Sequence, residues 1–147
     1  WQLVVVGGGS EKDQVVKAFS NTAKRVCFTG VLEETEIAQL LTAADVFAWP
    51  AINEAFGMAI LEAHRHGLPV VAGYTDGVAA TVADTQTGFL TPAGDPVSFA
   101  KAISSLIQDA SIRAQMAKNA RDKFLEQHTV ELAAETIQFF LSQIKTQ

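Results

Sequence analysis

The chain has 147 residues, 48% of them hydrophobic, which is ample for one domain with a single core and too apolar for disorder. A net charge of -5 with 18% charged residues gives no broad cationic field, so nucleic acid and anionic membranes are disfavoured as partners. One cysteine excludes an internal disulfide, and no apolar stretch approaches the roughly 20 residues of a membrane-spanning helix, so a soluble domain of the reducing cytoplasm is expected.

The opening residues Trp1 to Val6 are already strand-like, which points to a start cut from a longer polypeptide. Leu3 to Val6 is the first of four apolar runs rich in valine and phenylalanine, each closed by glycine or proline. Val26 to Thr29, Asp45 to Trp49 and Pro69 to Ala72 are the others, and Gly88 to Thr91 is a shorter fifth. Continuous runs of this kind suit parallel strands buried on both faces. Cys27, between Val26 and Phe28, reads as a small buried side chain. Stretches of helical spacing lie between the runs: Val15, Val16 and Phe19, then Ile37, Leu40 and Leu41, then Met58, Ile60 and Leu61 ended by Gly67 and Pro69. Strand and helix alternate, which predicts an α/β fold, a Rossmann-like doubly wound parallel sheet.

After Pro92 the pattern is helical only. Asp95-Pro96 supplies an N-cap and a proline at the first helical position, followed by the stripe Phe99, Ile103, Leu106 and Ile107. A second helix follows Asp109 and carries Ile112, Met116, Ala120 and Phe124. The last begins near Thr129 with Val130, Ala134, Ile137, Phe140, Leu141 and Ile144, a broad apolar face for a terminal helix. Core packing is its first explanation and docking against a neighbouring domain its second.

The segment from Pro50 to Ala72 carries the chemistry. It is a strand end, a loop, a short helix and another strand, and open α/β sheets bind ligands at the carboxyl ends of their strands. Gly57 permits close approach to the backbone, and the amides of Met58 and Ala59 are unpaired donors at a helix start, where an anion such as a diphosphate fits. Glu54 and Glu62 flank that position, eight residues apart. Glu62 lies among Ile60, Leu61 and Ala63, so a buried carboxylate needing donors is expected, and sugar hydroxyls would supply them. The plainer alternative has Glu54 capping the helix and Glu62 pairing with Arg65.

Glu54-x-Phe56-Gly57-x-x-x-x-Glu62-Ala63 followed by Gly67-x-Pro69-Val70-Val71-Ala72 strongly resembles the Glu-x7-Glu signature of retaining, nucleotide-sugar-dependent glycosyltransferases of the GT-B fold, the group 1 family. The similarity extends to Leu3 through Gly9, Val26 to Gly30, Ala44 to Pro50, Thr87 to Leu90 and Gly94 to Pro96. It implies that residues 1–147 are the C-terminal donor-binding domain of a two-domain enzyme, with the first sheet strand and an N-terminal acceptor domain lying outside this chain. By that resemblance Glu54 is catalytic, beside the donor sugar, and Glu62 holds the ribose hydroxyls. Phe56 and the amides of Gly57, Met58 and Ala59 meet the sugar and diphosphate, while main chain near Gly30 and Val31 lines the base pocket.

The substrate so implied is a UDP-, GDP- or ADP-sugar, with no cofactor and no metal. Transfer to a glycan, lipid or small-molecule acceptor proceeds through same-face attack, and peripheral membrane association of the full-length enzyme stays open. An Arg and a Lys that the family brings to the diphosphate come from segments preceding Trp1. Where the family often has Glu after its glycine pair, this chain has Ala80, and His64-Arg65-His66 stands where small or apolar residues are usual.

Other readings are weaker. A dehydrogenase fingerprint fails because Gly7 and Gly9 fit but Lys12 occupies the third glycine position. Ser10, after three glycines and before Glu11, is no hydrolase elbow. Zinc is disfavoured because His64 and His66 face different directions on a helix and His128 is distant in sequence, which leaves them as surface histidines. An epimerase or phosphorylase of the same architecture and a non-catalytic nucleotide-binding module are the remaining alternatives.

Overall fold

Strands and helices alternate from Leu3 to Thr91 and only helices follow, in a computed structural model that describes residues 1–144. The chain divides into two compact units, Trp1–Leu40 and the remainder from Leu41.

In the first unit β1 (Leu3–Val6) and β2 (Val26–Gly30) pair in parallel, joined by α1 (Lys12–Ala18) and a 3-10 turn over Ser20–Arg25. Phe19 packs edge-on against Phe28 at 6.1 Å between ring centres, which covers one face of β2. Alternation along the strand then sends Cys27 to the other face, where it is exposed. That corrects its reading as a buried side chain. Both-face burial fails for β1 as well: Val4 and Val6 are 44% and 42% exposed. A unit of this size has too little chain to cover both sides of a sheet.

The second unit holds a three-stranded parallel sheet, β3 (Phe47–Trp49), β4 (Val70–Gly73) and β5 (Gly88–Thr91), with β4 in the middle. Every residue of β4 is buried, so here the continuous apolar run means what it was read to mean. α3 (Met58–Arg65) packs on β3 and β4, and α5 (Pro96–Gln108) on β4 and β5. Val71, Leu106 and Met116 form a buried cluster with Val46, Phe89, Phe99, Ala102 and Ile103 against it. Met116 comes from α6 (Ala110–Gln127), which also packs on α3. Asp95 and Asp109 cap α5 and α6, each carboxylate accepting two amides of the first turn.

Three differences from the predicted elements stand out. α2 (Glu34–Ala43) appears where expected, but α4 (Asp76–Thr81) has no periodic apolar stripe and is set by its cap, Thr75 Oγ1 accepting the Val78 amide at 3.2 Å. The predicted sheet is present as two-stranded and three-stranded parallel sheets rather than one continuous run of pairings among the described residues. α7 (Val130–Ile144) buries none of its residues: Ile137 is 59% and Phe140 62% exposed, so core packing does not account for its apolar face.

Candidate functional site

β3 ends at Trp49, and the chain leaves the carboxyl edge of the sheet as a loop that returns at the start of α3. Three contacts fix this loop on its neighbours. The Thr75 hydroxyl donates to the Glu54 carbonyl at 2.8 Å. A Cβ at Gly77 would lie 1.8 Å from the Ala55 carbonyl oxygen, and one at Gly73 2.3 Å from that of Ala51, so only glycine admits the loop this close to β4 and α4. Asn53 takes a left-handed φ of 83°, which its short amide side chain tolerates. A hollow of about 330 Å³ is lined by Trp49, Pro50, Ala51, Ile52, Asn53 and Glu54.

Both oxygens of the Glu54 carboxylate are held. Oε1 accepts the amide of Gly57 at 3.1 Å and that of Phe56 at 3.5 Å, and Oε2 accepts the Trp49 indole Nε1–H at 3.3 Å. The Gly57 amide, then the Phe56 amide, and more weakly the Trp49 indole, hold its carboxyl below the ordinary value against a slight desolvation. Glu54 is therefore an anion at neutral pH and stays one further into acid. It does satisfy an amide at the helix entrance, as the capping alternative required, but that amide belongs to Gly57 and not to the first helical turn.

Gly57 itself has φ +79° and is buried, and it turns the chain into α3. Ile60 and Leu61 amides reach back to the Gly57 carbonyl, while the amides of Met58 and Ala59 have no acceptor among the described residues. Ile60, Leu61, Ala63 and His64 form the buried face of α3, and Met58, Glu62 and Arg65 the exposed one. Glu62 is thus exposed, which corrects the expectation of a buried carboxylate. Being polar at the solvent-facing position of an otherwise apolar helix needs no internal donor, and among the described residues its side chain has neither hydrogen bond nor ion pair, including any with Arg65. It lies one turn beyond Met58 on the same face. Phe56 is half exposed beside the loop.

Gly30 and Val31 belong to the first unit. Gly30 closes β2 with φ +74°, its carbonyl accepts the Gly7 amide at 2.7 Å, and Val31 is 83% exposed with Cγ2 close to Gly8. The glycine segment after β1 and the end of β2 are therefore neighbours at the carboxyl edge of that sheet.

His64 is not a surface residue. It is fully buried on α3, and neither ring nitrogen has a hydrogen-bond partner. Burial first, then the charges of Lys123 and His128, push its pKa down to about 4 against a smaller opposing influence of the Thr87 main chain, so it is neutral in the folded chain at neutral pH. Lys123 Nζ donates instead to the carbonyls of Thr81 and Ala80 at the end of α4. Among the described residues no three His, Cys, Asp or Glu side chains are placed to hold a metal ion, and no helix is long and apolar enough to cross a membrane.

Residues 1–123 match the family model described as glycosyl transferases group 1. The chain belongs to this family. Among group 1 relatives, it is 36% identical over 140 residues to the D-inositol 3-phosphate glycosyltransferase of Stackebrandtia nassauensis, a match covering 88% of this chain and 32% of that protein. Its fold matches sucrose-phosphate synthase from Thermosynechococcus elongatus with a TM-score of 0.90 at 28% identity, over 99% of this chain and 39% of the other. Anabaena Alr3699/HepE, solved in complex with UDP-glucose, matches with a TM-score of 0.81 at 30% identity, over 97% and 41%. The chain spans about a quarter to a third of the length of the curated relatives it matches. The mixed α/β architecture with parallel strands matches the Rossmann-like fold of these solved structures.

Thr75, Gly77 and Trp49 carry the loop and were not singled out from the sequence. Thr75-Asp76 is a cap pattern that could have been noticed. Nothing local marks Trp49 as a partner of Glu54.

Proposed function

We propose that this chain is the nucleotide-sugar-binding part of a retaining glycosyltransferase, with acceptor binding supplied by a further N-terminal domain. The observation that carries the reading is the Glu54 carboxylate, ionised and fixed at the carboxyl end of a parallel sheet beside the free amides of Met58 and Ala59. UDP-glucose, the ligand of the Anabaena neighbour, is the first donor to try.

In this reading the Met58 and Ala59 amides face the diphosphate, supplying oriented dipoles for the negative charge that grows as the C1–O bond breaks. Glu54 accepts a donor-sugar hydroxyl and stabilises the oxocarbenium-like carbon. The acceptor oxygen attacks from the face the leaving group departs, and its proton passes to the leaving phosphate oxygen. Glu62 is exposed and unpartnered on the Met58 face, where its carboxylate can accept two ribose hydroxyls. No step calls on a metal ion.

The test uses the full-length protein. Glu62→Ala should weaken UDP binding by about 1.5 to 3 kcal/mol through lost charge-assisted hydrogen bonds, read by calorimetry. Glu54→Gln should lower kcat more than donor affinity. Unchanged UDP affinity in the first variant removes the ribose assignment, and an equal loss of kcat and affinity in the second removes Glu54 from the transition state.

A further inference from the structure

The Glu54 carboxylate is gripped from two sides of different character. Its Oε1 contacts, the amides of Gly57 and Phe56, come from the same loop and orient the carboxylate only relative to that loop. The Oε2 contact comes from Trp49, which belongs to the sheet. Trp49 is the last residue of β3 and pairs in register with Ala72, a fully buried residue of the central strand. Its ring stacks on Phe47, two residues back on the same face of the strand, at 5.8 Å between centres and 14° between planes. An indole N–H can only donate, so its stable partner at this place is an acceptor, and an ionised one best.

We propose that Trp49 is a positioning residue: its stacked indole ties the orientation of the Glu54 carboxylate to the sheet, and thereby sets where the donor sugar's hydroxyl is received. This deepens the donor-site reading and rests on it for the second half of the statement. The first half, the link between Trp49 and Glu54, stands on geometry alone. The hydroxyl of Thr75 holds the same loop by its main chain, and the amides of Gly57 and Phe56 hold only one carboxylate oxygen; the indole holds the other. A near-parallel stack on Phe47 lets the hydrogen bond be deleted without deleting the ring, because phenylalanine at position 49 keeps an aromatic face and lacks the N–H.

Two measurements on the full-length protein decide it. With indole nitrogen-15 labelling, the Trp49 Nε1–H resonance should shift with pH as the Glu54 carboxyl titrates, and that inflexion should vanish in Glu54→Gln while the Trp1 resonance is unaffected. A Trp49 resonance with no acid inflexion, or with one that persists in Glu54→Gln, overturns the link. In calorimetry Trp49→Phe should weaken UDP-glucose binding by about three- to tenfold, less than the full worth of a hydrogen bond to a charged group because the Gly57 and Phe56 amides still hold the other oxygen, and leave UDP binding unchanged. Equal losses for UDP and UDP-glucose mean that the variant has disturbed the loop as a whole, and no loss for either means that the indole does not set the sugar's place; both outcomes overturn the proposal. If the parent protein binds none of UDP-glucose, GDP-mannose and ADP-glucose, the donor-site reading falls, and the resonance titration still judges the Trp49 to Glu54 link by itself.

Discussion

The β1–β2 pair and the β3–β4–β5 sheet are written in the same sequence idiom, short valine-rich runs ended by glycine or proline, and they are covered very differently. β4 is wholly buried, with Val71 in contact with helices α5 and α6 through Leu106 and Met116. β1 alternates half-buried and exposed residues and has no fully buried position. An apolar run thus records that a strand is suited to burial on both faces, whereas the chain that packs on it decides whether burial occurs. The glycines repeat the lesson. Gly88 is required by contact, since a Cβ there would sit 1.9 Å from the Val70 carbonyl oxygen, while at Gly8 the nearest atom to such a Cβ is a Val31 methyl at 3.7 Å.

The sharpest way to break this contrast is to fill both places. Gly88→Ala should cost about 3 kcal/mol or more, because backbone and not a flexible side chain must give way, and Gly8→Ala should stay within about 0.5 kcal/mol. Hydrogen exchange followed separately over residues 1–40 and over β3 to β5 reports each unit by itself. Similar losses in the two variants would mean that the two sheets are not packed as differently as their burial indicates.

Acid should act on the second unit next. The folded-state pKa of His64 lies near 4 against 6.5 in the unfolded chain, so the unfolded chain binds the extra proton between those values. Stability therefore holds above about pH 6.5 and falls as the pH drops toward 4, by about 2 kcal/mol at pH 5 and about 3 at the limit. Lys123 and His128, which face the ring, oppose its protonation, and the pKa of His128 is itself lowered by burial, adding in the same direction. His64→Leu should flatten this dependence in exchange protection over α3 and β4; a slope that survives the substitution assigns it elsewhere.

Helix caps give the smallest effect. Asp109 accepts two amides of α6, and Asp109→Ala should cost about 1 kcal/mol. Glu11, at the same position of α1, makes no side-chain cap, and Glu11→Ala should be close to neutral by thermal melting.

Much of this was legible beforehand for local reasons. The bounds of β1 and β5, the starts of α5 and α6 at Asp95 and Asp109, and the loop from Pro50 to Gly57 follow from period, caps and glycine, all of which act over a few residues. The partners within the site did not follow. The hydroxyl of Thr75 reaches Glu54 across 21 positions of sequence, and Gly77 admits Ala55 across 22, and neither pairing leaves a mark in the local pattern. Glu62 and His64 exchanged their expected places for the same reason. Two positions apart on one helix, they face different sides, and only the packing of α3 on the sheet and on α6 settles which side is the interior.

By itself, then, the sequence determined the α/β order of elements, the loop that presents Glu54 and the family to which the chain belongs, since these depend on neighbours in the chain or on an ordered set of motifs. Tertiary structure alone decided that Cys27 and Glu62 meet solvent, that His64 does not, that α7 leaves its apolar face uncovered, and that Trp49 holds the Glu54 carboxylate. Exposure is a property of what lies across a face, and residues that cover one another are brought together by folding from places the local pattern does not connect.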